Sequence, residues 1–124
     1  MSSILVIDDE APMRKMIRTI LETVPHTVIE APNGVVGVRL FRDHKPDLVI
    51  TDILMPDKEG LETVREIKRI DPQARILAVS GSGTTETPDF LKAAKEFGAA
   101  ETLPKPFRRT ELLAAIERLL SPRP

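Results

Sequence analysis

The chain contains no cysteine, tryptophan or tyrosine, and only four phenylalanines among its 124 residues. Without cysteine it has neither a disulfide framework nor a thiolate metal site. The shortage of rings argues against surfaces that stack on nucleobases or on a flavin. No apolar run approaches the ~18–20 residues of a membrane span. The opening Met1-Ser2-Ser3-Ile4 shows neither the basic region nor the apolar stretch of a secretory leader. An excess of one charge is also missing: 18 basic residues face 19 acidic ones, giving a net charge of −1 and no global field favouring nucleic acid. A cytoplasmic protein with no membrane partner and no direct nucleic-acid partner is therefore expected. The length suits one domain, residues 1–120, with residues 121–124 (Ser-Pro-Arg-Pro) as a disordered tail or linker stub.

What is present is an alternation of short apolar runs and helical stripes. Ile4–Ile7 reads as a buried strand, since three of its four apolar residues are β-branched. Met13, Met16, Ile17, Ile20, Leu21 and Val24 recur at helical spacing, with Pro12 in the first turn and Pro25 as the stop. Thr27–Glu30 is a weaker strand. Asn33-Gly34 makes a turn and cap before a helix with Val35, Val38, Leu40 and Phe41, which Pro46 ends. Leu48–Thr51 and Ile76–Val79 are further strands, separated by a loop between Pro56 and Gly60 and a stripe of Leu61, Val64, Ile67 and Ile70. Phe90, Leu91, Ala94 and Phe97 mark a helix capped by Gly98. A short strand near Glu101–Leu103 precedes a last helix with Leu112, Leu113, Ile116, Leu119 and Leu120. Five strand–helix units in alternation predict an α/β, doubly wound parallel sheet with helices on both faces. Right-handed crossovers put all strand C-termini at one edge, where ligands of such sheets bind.

Polar residues stand at four of those ends. Asp8-Asp9 closes the first run, Asp52 the third and Ser80 the fourth, and Lys105 follows Thr102-Leu103-Pro104. Two unit charges ~5 Å apart repel by about 3 kcal/mol at an effective dielectric of ~20. A hard cation such as Mg²⁺ reverses that repulsion, because it favours a few carboxylates plus water and leaves positions open for a phosphate oxygen. Singly, each aspartate reads as well as a cap or a turn former. The whole set, with Lys105 aimed by its two flanking prolines, reads as a site. Ser80 adds a hydroxyl that could bond a phosphate on Asp52.

On these residues the chain resembles the receiver domain of bacterial two-component response regulators. The matching segments are Ile4-Leu5-Val6-Ile7-Asp8-Asp9-Glu10, then Thr51-Asp52-Ile53-Leu54-Met55-Pro56-Asp57-Lys58-Glu59-Gly60, and Leu103-Pro104-Lys105-Pro106-Phe107. The resemblance runs from Ile4 to about Leu120. It implies a flavodoxin-like (βα)5 fold with strand order 2-1-3-4-5. It also implies that Asp52 accepts a phosphoryl group from a sensor histidine kinase or a histidine phosphotransfer protein. Asp9 and Asp52 would ligate Mg²⁺ directly, Asp8 through water, and Leu54 through its backbone carbonyl. Ser80 would move to the phosphate and Lys105 would pair with it. Such a protein is a signalling phosphoacceptor, enzyme-like only in promoting its own phosphorylation and dephosphorylation. Its output partner would bind the face made by the fourth helix, fifth strand and fifth helix, with a phosphorylation-dependent dimer left open.

Some positions depart from the family pattern. Thr102 stands where an aromatic ring usually turns inward, so a ring-flip readout is not expected. Gly81–Thr87 carries a small insertion that reads equally as a mobile element or as a tolerated one. Leu54 and Ser82 occupy positions that tune phosphoryl lifetime, and apolar Leu54 predicts slow spontaneous dephosphorylation. One or two residues around Ala11–Arg14 are expected to touch a kinase, and Arg108-Arg109 to be solvated. A stand-alone regulator is the leading expectation, ahead of a receiver excised from a larger regulator or hybrid kinase. A flavodoxin-like flavin carrier or an aspartyl phosphatase is a distant alternative. Asp8-Asp9-Glu10 replaces the carrier's hydroxyl-rich loop, and Leu54 stands where the phosphatase wants its second acid.

Overall fold

The computed structural model describes residues 2–23, 26–53, 59–80 and 87–121. Strands β1 (Ser2–Ile7), β2 (His26–Ala31), β3 (Leu48–Asp52), β4 (Ile76–Ser80) and β5 (Glu101–Pro104) alternate with helices α1 (Ala11–Leu21), α2 (Gly34–His44), α3 (Glu59–Ile70), α4 (Thr87–Phe97) and α5 (Arg109–Leu120). The strands form one parallel sheet in the order β2-β1-β3-β4-β5, the flavodoxin-like arrangement expected. Successive side chains on a strand point to opposite faces, and the three central strands therefore feed two cores. Leu5, Ile7, Val49, Ile76 and Ala78 pack under α2, α3 and α4 with Val38, Phe41, Val64, Ile67 and Ala94. Ile4, Val6, Leu48, Ile50, Leu77 and Val79 pack under α1 and α5 with Ile17, Leu21, Leu112, Ile116 and Leu119.

The helix ends follow local chemistry. The Asn33 side chain accepts a hydrogen bond from the Val36 amide at 2.9 Å, an N-cap for α2. Lys45 closes the same helix in the left-handed region (φ 46°), with Pro46 beyond it. Gly98, at φ +123°, ends α4 and returns its amide to Ala94. Glu111 reaches back to the Arg108 amide at 2.7 Å, while the Arg108 and Arg109 side chains are exposed as expected.

Several expected boundaries and faces are corrected. Helix α1 ends at Leu21, ahead of Pro25, with the Glu22 amide bonded to the Arg18 carbonyl. Gly60 lies in the first turn of α3 and not at a loop's end. Three apolar residues on the predicted stripes face water: Met16, Val35 (77% exposed) and Ile70. The expectations for Val24, Pro25, Leu54, Pro56, Ser82 and residues 122–124 fall outside the described residues, as do those for 81–86.

Candidate functional site

Strand order reverses between β1, which pairs with both β2 and β3, and the C-terminal ends of β1 and β3 carry Asp8 and Asp52. The ladder continues past the strand ends and holds the site's backbone. The Asp8 amide donates to the Ala31 carbonyl at 3.1 Å, the Ile53 amide to Val79 at 3.0 Å, and the Lys105 amide to Ser80 at 2.7 Å. This last bond carries Lys105 from the edge strand back over the sheet. Its Nζ donates to Asp52 Oδ2 at 2.9 Å and to Asp8 Oδ2 at 3.1 Å. The peptide bond between Lys105 and Pro106 is cis. All three charged side chains are nearly inaccessible, Asp8 at 1% and Asp52 at 2%.

That burial has electrostatic consequences. Desolvation pushes the Asp8 carboxyl above its usual range, and the nearby Asp52 charge adds to the effect. The Glu10 amide on Asp8 Oδ1 (2.9 Å) and the Lys105 charge oppose it without cancelling it. For Lys105, burial pulls downward, but the hydrogen bond and charge of Asp52, followed by those of Asp8, win and hold it above the ordinary lysine value. The ammonium therefore stays charged at neutral pH, and Asp8 carries the cost of its own burial, with the Asp52 charge as a smaller addition.

Ligand oxygens of Asp8, Asp9, Glu10 and Asp52 all lie within 4.8 Å of one another. Asp8 and Asp52 are buried, while Asp9 and Glu10 are exposed. Hard carboxylate oxygens at this spacing suit a hard divalent cation. Asp8, Asp9, Asp52 and Lys105 thus converge as the sequence predicted. Glu10 belongs to the cluster too, although the sequence reading left it out of the ligand set; its place directly after Asp8-Asp9 was the available signal. Ser80 ends β4 beside Pro104, fully buried, and its Oγ has no hydrogen-bond partner among the described residues. A buried hydroxyl without a partner is disfavoured by about 1–3 kcal/mol, so it suits an acceptor arriving from outside the protein.

Two further residues support the site. A Cβ on Gly60 would collide with the backbone of Ile53 and the Asp52 carbonyl, so only glycine lets α3 approach this closely. Arg14, on α1, donates from Nη1 to the Asp8 carbonyl at 2.6 Å. A glycine eight residues after Asp52 was visible in the sequence, but nothing local ties Arg14 to Asp8.

Comparison with known proteins agrees with this geometry. Residues 4–117 match the family model of the response regulator receiver domain. Chemotaxis protein CheY of Bacillus subtilis is 40% identical over 119 residues, covering 95% of this chain and 97% of that protein. DNA-binding transcriptional regulator NtrC of Azospirillum brasilense is 40% identical over 120 residues, which are 97% of this chain and only 24% of the relative. Among solved structures, a response regulator receiver domain protein from Clostridium thermocellum superposes with a TM-score of 0.87 at 34% identity, covering 97% of this chain and 94% of that one. With the sheet order, the acid cluster and these likenesses in agreement, the chain belongs to the response regulator receiver domain family, the phosphoacceptors of two-component signalling.

Proposed function

We propose that this receiver takes a phosphoryl group onto Asp52 from a phosphohistidine, in a Mg²⁺-dependent reaction, and passes the change to a protein partner. The observation that carries the reading is the meeting of a buried Asp52, the Lys105 ammonium 2.9 Å from it, and a Ser80 hydroxyl one strand away that has no partner among the described residues. Phosphoryl transfer asks little covalent chemistry of a protein beyond an in-line nucleophile and charge neutralisation on the transferring oxygens. Asp52 supplies an oxygen nucleophile. Asp9 and Asp52, with Asp8 through water and the Leu54 carbonyl, would hold the cation, and Glu10 stands close enough to join them. When bound, Mg²⁺ supplies positive charge to the phosphoryl oxygens.

The switch follows from charge bookkeeping among the chain's own residues. Before transfer, Lys105 is shared between Asp52 and Asp8. A phosphoryl group brings about −1.5 to −2 of charge and new acceptor oxygens. Lys105 then gains a stronger partner, and Ser80 gains its first. Bonds made only in the phosphorylated state can bias a two-state arrangement, and going from 1:99 to 99:1 needs about 5.5 kcal/mol. With Thr102 in β5 no ring swings inward, so the output runs through the backbone of β4 and β5 and the face they share with α4 and α5.

The match to CheY over nearly its full length supports a stand-alone regulator. The match to the NtrC portion supports the second reading, a receiver working within a longer protein. The acceptor is tested by mass spectrometry after incubation with Mg²⁺ and acetyl phosphate. Wild type is expected to gain about 80 Da, one phosphoryl group, and Asp52→Asn none. An equal gain in the variant would move the acceptor elsewhere.

A further inference from the structure

The guanidinium of Arg14 joins two elements beside the acid cluster. Its Nη1 donates to the Asp8 carbonyl at 2.6 Å, and its Nε lies 3.5 Å from Glu30 Oε1 on β2, an ion pair without a hydrogen bond. The other Glu30 oxygen accepts from Arg18 Nη1 at 2.7 Å, one turn further along α1. The Arg14 side chain is only 17% exposed, so these contacts are partly shielded from water. Asp8 is then held on every side: its amide by Ala31, Oδ1 by Glu10, Oδ2 by Lys105 and its carbonyl by Arg14. Asp9 is exposed, so packing does not orient its carboxylate.

We infer that Arg14, braced by Glu30, is a positioning residue that fixes the Asp8–Asp9 peptide and so sets the cation affinity of the acid cluster. The inference rests on the proposed reading of that cluster as a Mg²⁺ site. Removing a residue that orients metal ligands from behind typically weakens metal binding about 10–100-fold. Charge alone predicts the opposite sign, because deleting a cation next to a cation site strengthens binding. The direction of the change therefore separates positioning from simple electrostatics.

Isothermal titration of Mg²⁺ into wild type, Arg14→Gln, Arg14→Lys and Lys15→Gln, at fixed ionic strength, reads that direction. Arg14→Gln should bind about 10-fold more weakly or worse, with Arg14→Lys recovering part of the loss. Lys15→Gln removes the same charge from an exposed position on α1 outside the Arg14–Glu30–Arg18 network, and should bind as wild type or slightly tighter. In EDTA, hydrogen exchange at the Glu10 amide should speed up in Arg14→Gln, a readout needing no metal. An Arg14→Gln variant that binds Mg²⁺ as tightly as wild type overturns the inference. If circular dichroism shows that variant unfolded, Arg14→Lys carries the test: it keeps the charge and changes only the contact geometry, so affinity unchanged from wild type there overturns the inference equally. No Mg²⁺ uptake by wild type would sink both this inference and the cluster reading, whereas uptake with a tight Arg14→Gln sinks only this one.

Discussion

Replacing Lys105 with methionine keeps most of the stem and removes the charge that, among the described residues, bridges Asp8 and Asp52. At an effective dielectric of ~20, an ammonium 2.9 Å from Asp52 and 3.1 Å from Asp8 attracts each carboxylate by about 5–6 kcal/mol. The two carboxylates, with ligand oxygens within 4.8 Å, repel by about 3.5 kcal/mol on the same scale. Desolvation offsets much of the attraction in wild type, but the variant keeps the buried acids without the Lys105 charge. The loss has a ceiling, because Asp8 can take up a proton instead. From an unfolded value of 3.8, protonation at pH 7 costs about 4.4 kcal/mol. In EDTA at pH 7, Lys105→Met should therefore be destabilised by about 3–4 kcal/mol, or roughly 10–20 °C in Tm for a domain of this size. At pH 5 the ceiling drops to about 1.6 kcal/mol, so the deficit should shrink. Millimolar Mg²⁺ should restore part of it by supplying the missing positive charge. Urea denaturation followed by circular dichroism measures all three. A deficit under 1 kcal/mol at pH 7, or one of equal size at pH 5 and pH 8, would refute the account of the triad.

Opposite behaviour is expected of Asp8→Asn. Burial raises the Asp8 pKa above 3.8, so the folded protein retains a proton that the unfolded chain releases. The favourable contribution is present at low pH and is lost as pH rises through the folded value. In EDTA at pH 7 the variant should gain about 1 kcal/mol or more over wild type, a gap that closes toward pH 4, and it should bind Mg²⁺ weakly; a less stable variant at pH 7 would contradict the sign. Ser80→Ala removes a buried hydroxyl without a partner, so thermal melts should show no loss and up to about 1 kcal/mol of gain. A clear loss there would reveal a bond to Ser80 that this account lacks. Gly60→Ala drives a methyl into the Asp52–Ile53 backbone and should cost about 1–3 kcal/mol in chemical denaturation; a neutral result would mean that α3 shifts freely.

The sheet was legible because its signals are local. Strands β1 to β4 are short runs with two or more β-branched residues, and each helix has a proline, a glycine or Asn33 near an end, so most elements follow from neighbours in the chain. Strand ends were readable for the same reason, which put Asp8, Asp52, Ser80 and Lys105 at one edge once parallel pairing was assumed. The strand order, by contrast, came from the family resemblance and not from spacing. Errors fell where exposure decides. Val35 fits the α2 stripe by periodicity but faces water, and periodicity alone does not tell the edge of a stripe from its centre.

By itself, then, the amino-acid sequence determined the alternating elements, the single parallel sheet and the identity of the charged groups at its rim, since these depend on periodicity, capping and side-chain chemistry. Only the tertiary structure decided how those groups share their charge. Lys105 bridges Asp8 and Asp52 from 97 and 53 residues away, Ser80 has no partner among the described residues, Gly60 lies against the Asp52 backbone, and Arg14 holds the Asp8 carbonyl. The physical reason is that desolvation and Coulomb energies depend on distance and burial in space, and these are set by strands and helices meeting from distant parts of the chain.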